Sequence, residues 1–236
     1  MIPLKDDIPT RHFPVMTVTL IAINAIVYLN EMIMGEMAFR RFLYLYGLIP
    51  FELTQGISFV PHPVPVYATI FTSMFVHAGL FHVGGNMLYL WIFGNNVEDA
   101  MGHARFLVFY LLCGVAAALA QVYMNPVSRV PMVGASGAVS GVLGAYLLLY
   151  PRARVLTLIT FGWFWRVAPI PALYVLGFWI VVQLVNGALT FNFEGGGVAW
   201  FAHIGGFLAG ALSIGFFKRR WVRFGWQRYR WEDPWS

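Results

Sequence analysis

GASGAVSGVLGAYLLLY, from Gly134 to Tyr150, carries four glycines and no charge. A run this apolar belongs in a bilayer, where an unpaired backbone amide has no partner and the chain must be helical. From Ala135 to Tyr150 such a helix covers about 24 Å at 1.5 Å per residue, short of the ~30 Å hydrocarbon core. Tyr150-Pro151 marks its inner end at the interface. Its first turn then lies below the outer surface, and the connection Asn125–Val133 dips in to meet it. Non-helical backbone is tolerated at that depth only where it is buried in protein or lines a wet cavity. Ser136 sits in that first turn, where the free amides of the helix point into the cavity.

The rest of the chain agrees with a membrane reading. Of its 236 residues, 59% are hydrophobic and 11% charged, against roughly 25% charged in an ordinary soluble domain. Six segments are near or above the length a crossing needs: Phe13–Met34, Thr69–Phe93, Phe106–Met124, Met132–Tyr150, Ala168–Phe191 and Val198–Phe217. The expected fold is an all-α polytopic membrane protein, a bundle of six transmembrane helices with an interfacial loop after helix one. In that loop Phe39, Phe42, Leu43, Tyr46 and Leu48, beside Arg40 and Arg41, predict a short helix lying in the interface. A single cysteine, Cys113, excludes an internal disulfide framework and a Cys-based zinc site. The first 14 residues show no small-residue cleavage signature, so no cleaved signal peptide is expected.

Charge sets the expected topology. With six spans, twelve Lys/Arg fall on the side of the two termini and only Arg40, Arg41 and Arg129 on the other. The bias puts both termini in the cytoplasm of a multi-pass protein, expected in a prokaryotic plasma membrane. The chain divides into a cytoplasmic segment 1–12, a membrane domain 13–217 and a basic tail 218–236. That tail interleaves Lys218, Arg219, Arg220, Arg223, Arg228 and Arg230 with Trp221, Trp226, Trp231 and Trp235. Directly after a last span, this pattern suits anionic headgroups better than nucleic acid. The only carboxylates near the spans are terminal ones, Glu31, Glu98 and Asp99, which argues against a proton-coupled carrier.

Polar residues gather at one depth. His82 and Asn86, four apart, share a face of helix two, whereas His77 points about 140° away. Ser136 begins helix four and His203 begins helix six. Small residues allow the two helices to meet: Ser136, Ser140 and Gly144 form one stripe with Gly137 and Gly141 beside it, facing Ala202, Gly206 and Gly210. A serine needs a base, and His203 is the histidine outside helix two that lies within a span. With no Asp or Glu at that depth, the pair is expected to be a dyad; a backbone carbonyl or water is left to fix the imidazole tautomer. Asn86, His82 and the Ser136 amide are candidate donors to a developing oxyanion. Gly134 and Gly137 allow close backbone approach. Singly, each has a plain reading: Ser136 a helix cap, His82 or Asn86 interhelical glue, His203 a core histidine. Together they point to nucleophilic catalysis, with neither cofactor nor metal.

HAGLFHVGGN (His77–Asn86), GASG (Gly134–Gly137) and AHIG (Ala202–Gly205), in this order and on these spans, resemble the rhomboid intramembrane serine proteases. Gly94, Glu98, Gly102, Phe106 and Tyr110 are similar to that family's structural signature. The resemblance implies a compact six-helix form, nucleophile Ser136, base His203 and an oxyanion site of His82, Asn86 and the Ser136 amide. It implies cleavage of single-pass membrane proteins near the outer ends of their helices. Phe178, Trp179 and the loop Asn192–Gly197 resemble the family's lateral gate and cap. Where many members carry an aromatic ring one turn below the nucleophile, this chain has Ser140. The partners implied are transmembrane substrates and lipids, with no nucleic acid; oligomeric state is open. The alternative is an inactive relative that binds membrane clients.

Overall fold

The structure is a computed structural model describing residues 1–190 and 198–225. The loop Asn192–Gly197, expected to resemble a cap, and the tail residues Trp226, Arg228, Arg230, Trp231 and Trp235 lie outside the described residues. After the strand β1 (Ile2–Asp6), Pro14 leads into α1 (Val15–Ile33), which has no side-chain cap of its own. The next segment is compact. It contains α2 (Glu36–Tyr46), none of whose residues is buried, and α3 (Pro50–Gln55). Buried Glu52 accepts from the Phe59 amide (2.6 Å) and contacts His62 Nε2 (2.8 Å). Leu48 exchanges backbone hydrogen bonds with Met132 at 2.9 and 2.7 Å, which ties this segment to the connection before Ser136.

The second expected span, Thr69–Phe93, is not one helix. Short turns at Val66–Ala68, α4 (Thr69–Thr72) and Ser73–Phe75 precede extended backbone at Val76. The chain then enters α5 (Leu80–Tyr89), a π-turn at Leu90–Gly94 and α6 (Asn95–Met101). The two halves are bent by 80°. Glu98 on α6 is buried and supplies the cap that α1 lacks. It accepts from the amides of Met16 (2.8 Å) and Thr17 (2.7 Å) and from the Thr17 hydroxyl (2.7 Å), and it contacts His103 Nδ1 at 2.5 Å. A carboxylate at a helix N-terminus satisfies orphan amides and complements the helix dipole.

Gly102, at φ +87°, turns the chain into α7 (His103–Met124). There follow α8 (Ser136–Leu149), α9 (Ala172–Leu189) and α10 (Trp200–Phe217). Among the described residues four helices, α1, α7, α9 and α10, are long and apolar enough to cross a bilayer, and up to five if the bent pair is one span. The protein is therefore a multi-pass helical membrane bundle. α8 has 14 residues, about 21 Å, and occupies the centre: every residue from Gly137 to Tyr146 is buried. Aromatic packing fills its far half, with Phe93 edge-on to Tyr146 at 4.8 Å and Tyr146 against Tyr150 at 5.2 Å.

Between α8 and α9 the all-helical expectation gives way to a hairpin, β2 (Arg154–Phe161) and β3 (Phe164–Pro171). With β1 it makes a three-stranded antiparallel sheet in the order β1-β2-β3. Val155 and Thr157 are buried on β2 while Arg154 and Thr160 are exposed, a period-two signal easily lost beside apolar spans. Pro169 and Pro171 keep residues 168–171 out of the helix, so α9 starts at Ala172 rather than at the expected Ala168. The sheet lies at the C-terminal end of α8, opposite Ser136.

Candidate active site

Ser136 is the first residue of α8, and His203 lies in the first turn of α10. The two helices touch backbone to backbone. A Cβ on Gly206 would clash with the Gly137 carbonyl, and one on Gly210 with the Gly141 carbonyl. The contact uses Gly137 and Gly141, the glycines beside the stripe, together with Gly144 of the stripe itself, while Ser136 and Ser140 stand off it. Ser140 instead bonds its own helix, donating to the Ser136 carbonyl at 2.6 Å. This approach brings Ser136 Oγ to 2.8 Å from His203 Nε2.

The imidazole is enclosed. Trp179 lies 5.8 Å from it, centroid to centroid, and Trp200 meets it edge-on at 6.2 Å. Its Nδ1 is 2.7 Å from Gln183 Oε1 on α9. Trp179 of α9 thus supplies an aromatic ring beside the imidazole, whereas Phe178 is half exposed. Gln183 is absent from the sequence-based candidates. Its signal was modest: it falls on the buried stripe Ala172, Leu176, Gln183 and Gly187 of α9, and an amide buried in a membrane helix needs a partner.

Facing Ser136, α5 contributes His82 and Asn86. The Ala78 amide donates to His82 Nδ1 at 3.4 Å, which leaves the proton of a neutral ring on Nε2. That Nε2 points to Gly134: a Cβ there would lie 2.5 Å from it and 3.5 Å from Asn86 Nδ2. Gly134 also holds φ +117°, which disfavours any side chain. Asn86 Nδ2 is buried and has no hydrogen-bond partner among the described residues.

His77 has a different part. Its own amide donates to buried Glu31 at 3.2 and 3.3 Å, and its Nε2 accepts from the Ala135 amide at 3.4 Å. The Gly134 amide donates to the Ser73 carbonyl at 2.8 Å. These bonds hold the backbone leading to Ser136 in its non-helical path. His77 and His82 pack edge-to-face at 5.1 Å; among the described residues no group of three or more His, Cys, Asp or Glu is arranged to hold a metal ion. Ser136, His203, His82 and Asn86 all line one cavity of about 830 Å³, large enough for a short extended peptide and water.

Residues 65–220 match the family described as the rhomboid domain. Over 182 residues the chain is 31% identical to the mitochondrial Rhomboid protein 1 of Saccharomyces cerevisiae, covering 73% of this chain and 45% of that protein. It is 36% identical over 160 residues to RHOMBOID-like protein 1 of Arabidopsis thaliana, covering 68% of this chain and 36% of that protein. To Rhomboid protease GluP of Bacillus subtilis it is 33% identical over 144 residues, covering 61% and 25%. The chain thus spans about half or less of the length of these curated relatives.

Proposed function

We propose, from the premise that this chain belongs to the rhomboid family, that it is an intramembrane serine endopeptidase working through a Ser136–His203 dyad. Family membership supports intramembrane proteolysis in general; the residue roles, the substrate class and the topology belong to the proposal. The observation that carries it is the 2.8 Å contact between Ser136 Oγ and His203 Nε2 on the wall of a cavity.

The chemistry follows from those positions. Ser136 Oγ attacks the scissile carbonyl while its proton passes to His203 Nε2. Negative charge on the carbonyl oxygen meets Asn86 Nδ2, His82 Nε2–H and the Ser136 amide. As the tetrahedral intermediate collapses, His203 Nε2–H gives its proton to the leaving amine, and Ser136 holds the acyl group. Water then enters the cavity, His203 takes its proton, and hydrolysis releases the carboxylate product and restores the serine. Substrates are single-pass membrane proteins cut near the outer ends of their helices. A peptide bond inside an intact helix is shielded, so unwinding must precede attack. The short α8 supports this depth, because its first turn starts below the surface of a ~30 Å core. Counting α8 and the bent pair as crossings gives six spans, with residues 1–12 and 218–236 on the Lys/Arg-rich, cytoplasmic side.

An activity-based fluorophosphonate is expected to label the wild type in liposomes. S136A and H203A are expected to lose labelling and cleavage of a model transmembrane substrate by at least about 10³-fold, with expression retained. Labelling of S136A at the wild-type rate would defeat the nucleophile assignment.

A further inference from the structure

A neutral imidazole carries one N–H, and only the tautomer with that proton on Nδ1 offers Nε2 as a base. Gln183 Oε1 lies 2.7 Å from His203 Nδ1. The direction of the amide is set at its other end, where Nε2 donates to the Trp179 carbonyl at 3.2 Å. The oxygen so presented can only accept, which makes Nδ1 the donor and leaves the Nε2 lone pair facing Ser136 Oγ. Gln183 is 5% exposed, and both ends of its amide are engaged within the protein.

We propose that Gln183 is a positioning residue of the reaction: from α9 it holds the His203 ring in the orientation and tautomer that let Nε2 take the Ser136 proton. The inference rests on the reading of Ser136 and His203 as nucleophile and base. Proton accounting is simple. On attack the Oγ proton moves to Nε2, and the Nδ1 proton stays on His203, still donating to Gln183. On collapse the Nε2 proton leaves with the amine. Gln183 neither gains nor loses a proton. An amide fits this depth better than a carboxylate, since an ionised group inside a membrane bundle needs a compensating partner. The titratable groups lining the same cavity are Arg40 and Tyr44 of α2, His82 and Tyr89 of α5, and Ser136 itself; no Asp or Glu lines it among the described residues.

Two variants of the full chain in liposomes test this, read by the rate of fluorophosphonate labelling across pH and by kcat and KM on a model transmembrane substrate. Q183L removes the acceptor at nearly constant volume. Labelling and kcat are expected to fall at least about tenfold, since a positioned general base is worth about 10²–10⁴, while KM stays within about threefold. Q183E keeps an acceptor and adds a negative charge beside Nδ1. It favours the imidazolium, so activity that needs the neutral ring is expected to recover relative to Q183L, with its acid limb moved up by about one pH unit or more. Wild-type labelling by Q183L overturns the inference. If Q183L does not fold, Q183E decides: a pH profile superimposable on the wild type overturns the inference equally. S136A run in parallel separates the two readings. Labelling that survives S136A removes the nucleophile and this inference with it. Labelling lost in S136A and unchanged in Q183L removes only the role of Gln183.

Discussion

Asn86 Nδ2 is a buried donor on the cavity wall with no hydrogen-bond partner among the described residues. An unpaired buried donor costs about 1–3 kcal/mol, so a placement where only cavity water can serve it adds little to folding. It becomes favourable when a negatively charged oxygen arrives between it, His82 and the Ser136 amide. N86A is therefore expected to lower kcat by about 10²–10³ with KM changed by less than about threefold. Its melting temperature should be unchanged or higher, because the orphaned donor is gone. Steady-state kinetics and a thermal melt in the same detergent check both halves. A loss confined to KM would assign Asn86 to substrate binding instead. At this scale Ser136, His203, His82 and Asn86 were legible as candidates because each is a polar residue near glycines in an apolar segment at a shared depth. Gln183 was not, because one amide on an apolar helix such as α9 says nothing about which neighbour it meets until the helices are packed.

Helices α8 and α10 bring the hydroxyl and the imidazole together through glycine rather than through side-chain complementarity. In lipid, where burial of apolar surface brings no gain between helices, close backbone approach maximises dispersion. A methyl at Gly210 would meet the Gly141 carbonyl, which belongs to a rigid helix backbone and cannot swing away. G210A is expected to push α10 from α8, lowering stability by about 1–3 kcal/mol. Turnover is expected to fall by about 10²-fold, since a displacement near 1 Å is enough for that. A thermal melt with the labelling rate tests it; a G210A protein that melts and labels like wild type would show that the interface relaxes elsewhere. The small residues on both helices were visible in the sequence, but which of them touch was not. Gly137 and Gly141, one residue round from the two serines, make the contact together with Gly144, since helix rotation is set by all neighbours at once. The break at Val76–Gly79 was hidden for a related reason: His77 and the segment preceding Ser136 stabilise each other across the fold, and nothing local demands the bend.

Across the whole molecule, the strand β1 binds the end of the bundle opposite Ser136. Asp6 Oδ2 accepts from Asn96 Nδ2 and from Tyr146 Oη, both at 2.6 Å, joining the sheet to α6 and α8. Burial pushes the Asp6 carboxyl up from 3.8 to about 7, against the opposing hydrogen bond from Tyr146. Asp7 is raised too, by burial, with Arg154 pulling the other way. The native protein thus keeps the Asp6 proton to about pH 7, whereas the unfolded chain releases it near 3.8. Between those values the native state binds more protons, so stability falls as pH rises through that window and is flat above it. D6N is expected to remove the Asp6 part of this slope, and D6N/D7N the Asp7 part as well, in melts from about pH 4 to 8. A D6N protein retaining the wild-type slope would assign the dependence to another group. Residues 218–225 close the same end: the Arg219 amide donates to the Ala100 carbonyl at 2.8 Å, and Arg11 covers the Trp221 ring at 4.7 Å.

Composition and hydropathy were enough to put this chain in a membrane as a helical bundle, because the bilayer allows a chain so poor in charge few other ways to satisfy its backbone. Short motifs at one depth were enough to name the serine, the two histidines and the asparagine as candidates. The tertiary structure alone decided the 80° bend, the sheet under α8 and the partner of the imidazole. Each of these depends on contacts between segments far apart in the chain, whose energies appear only once the helices have packed.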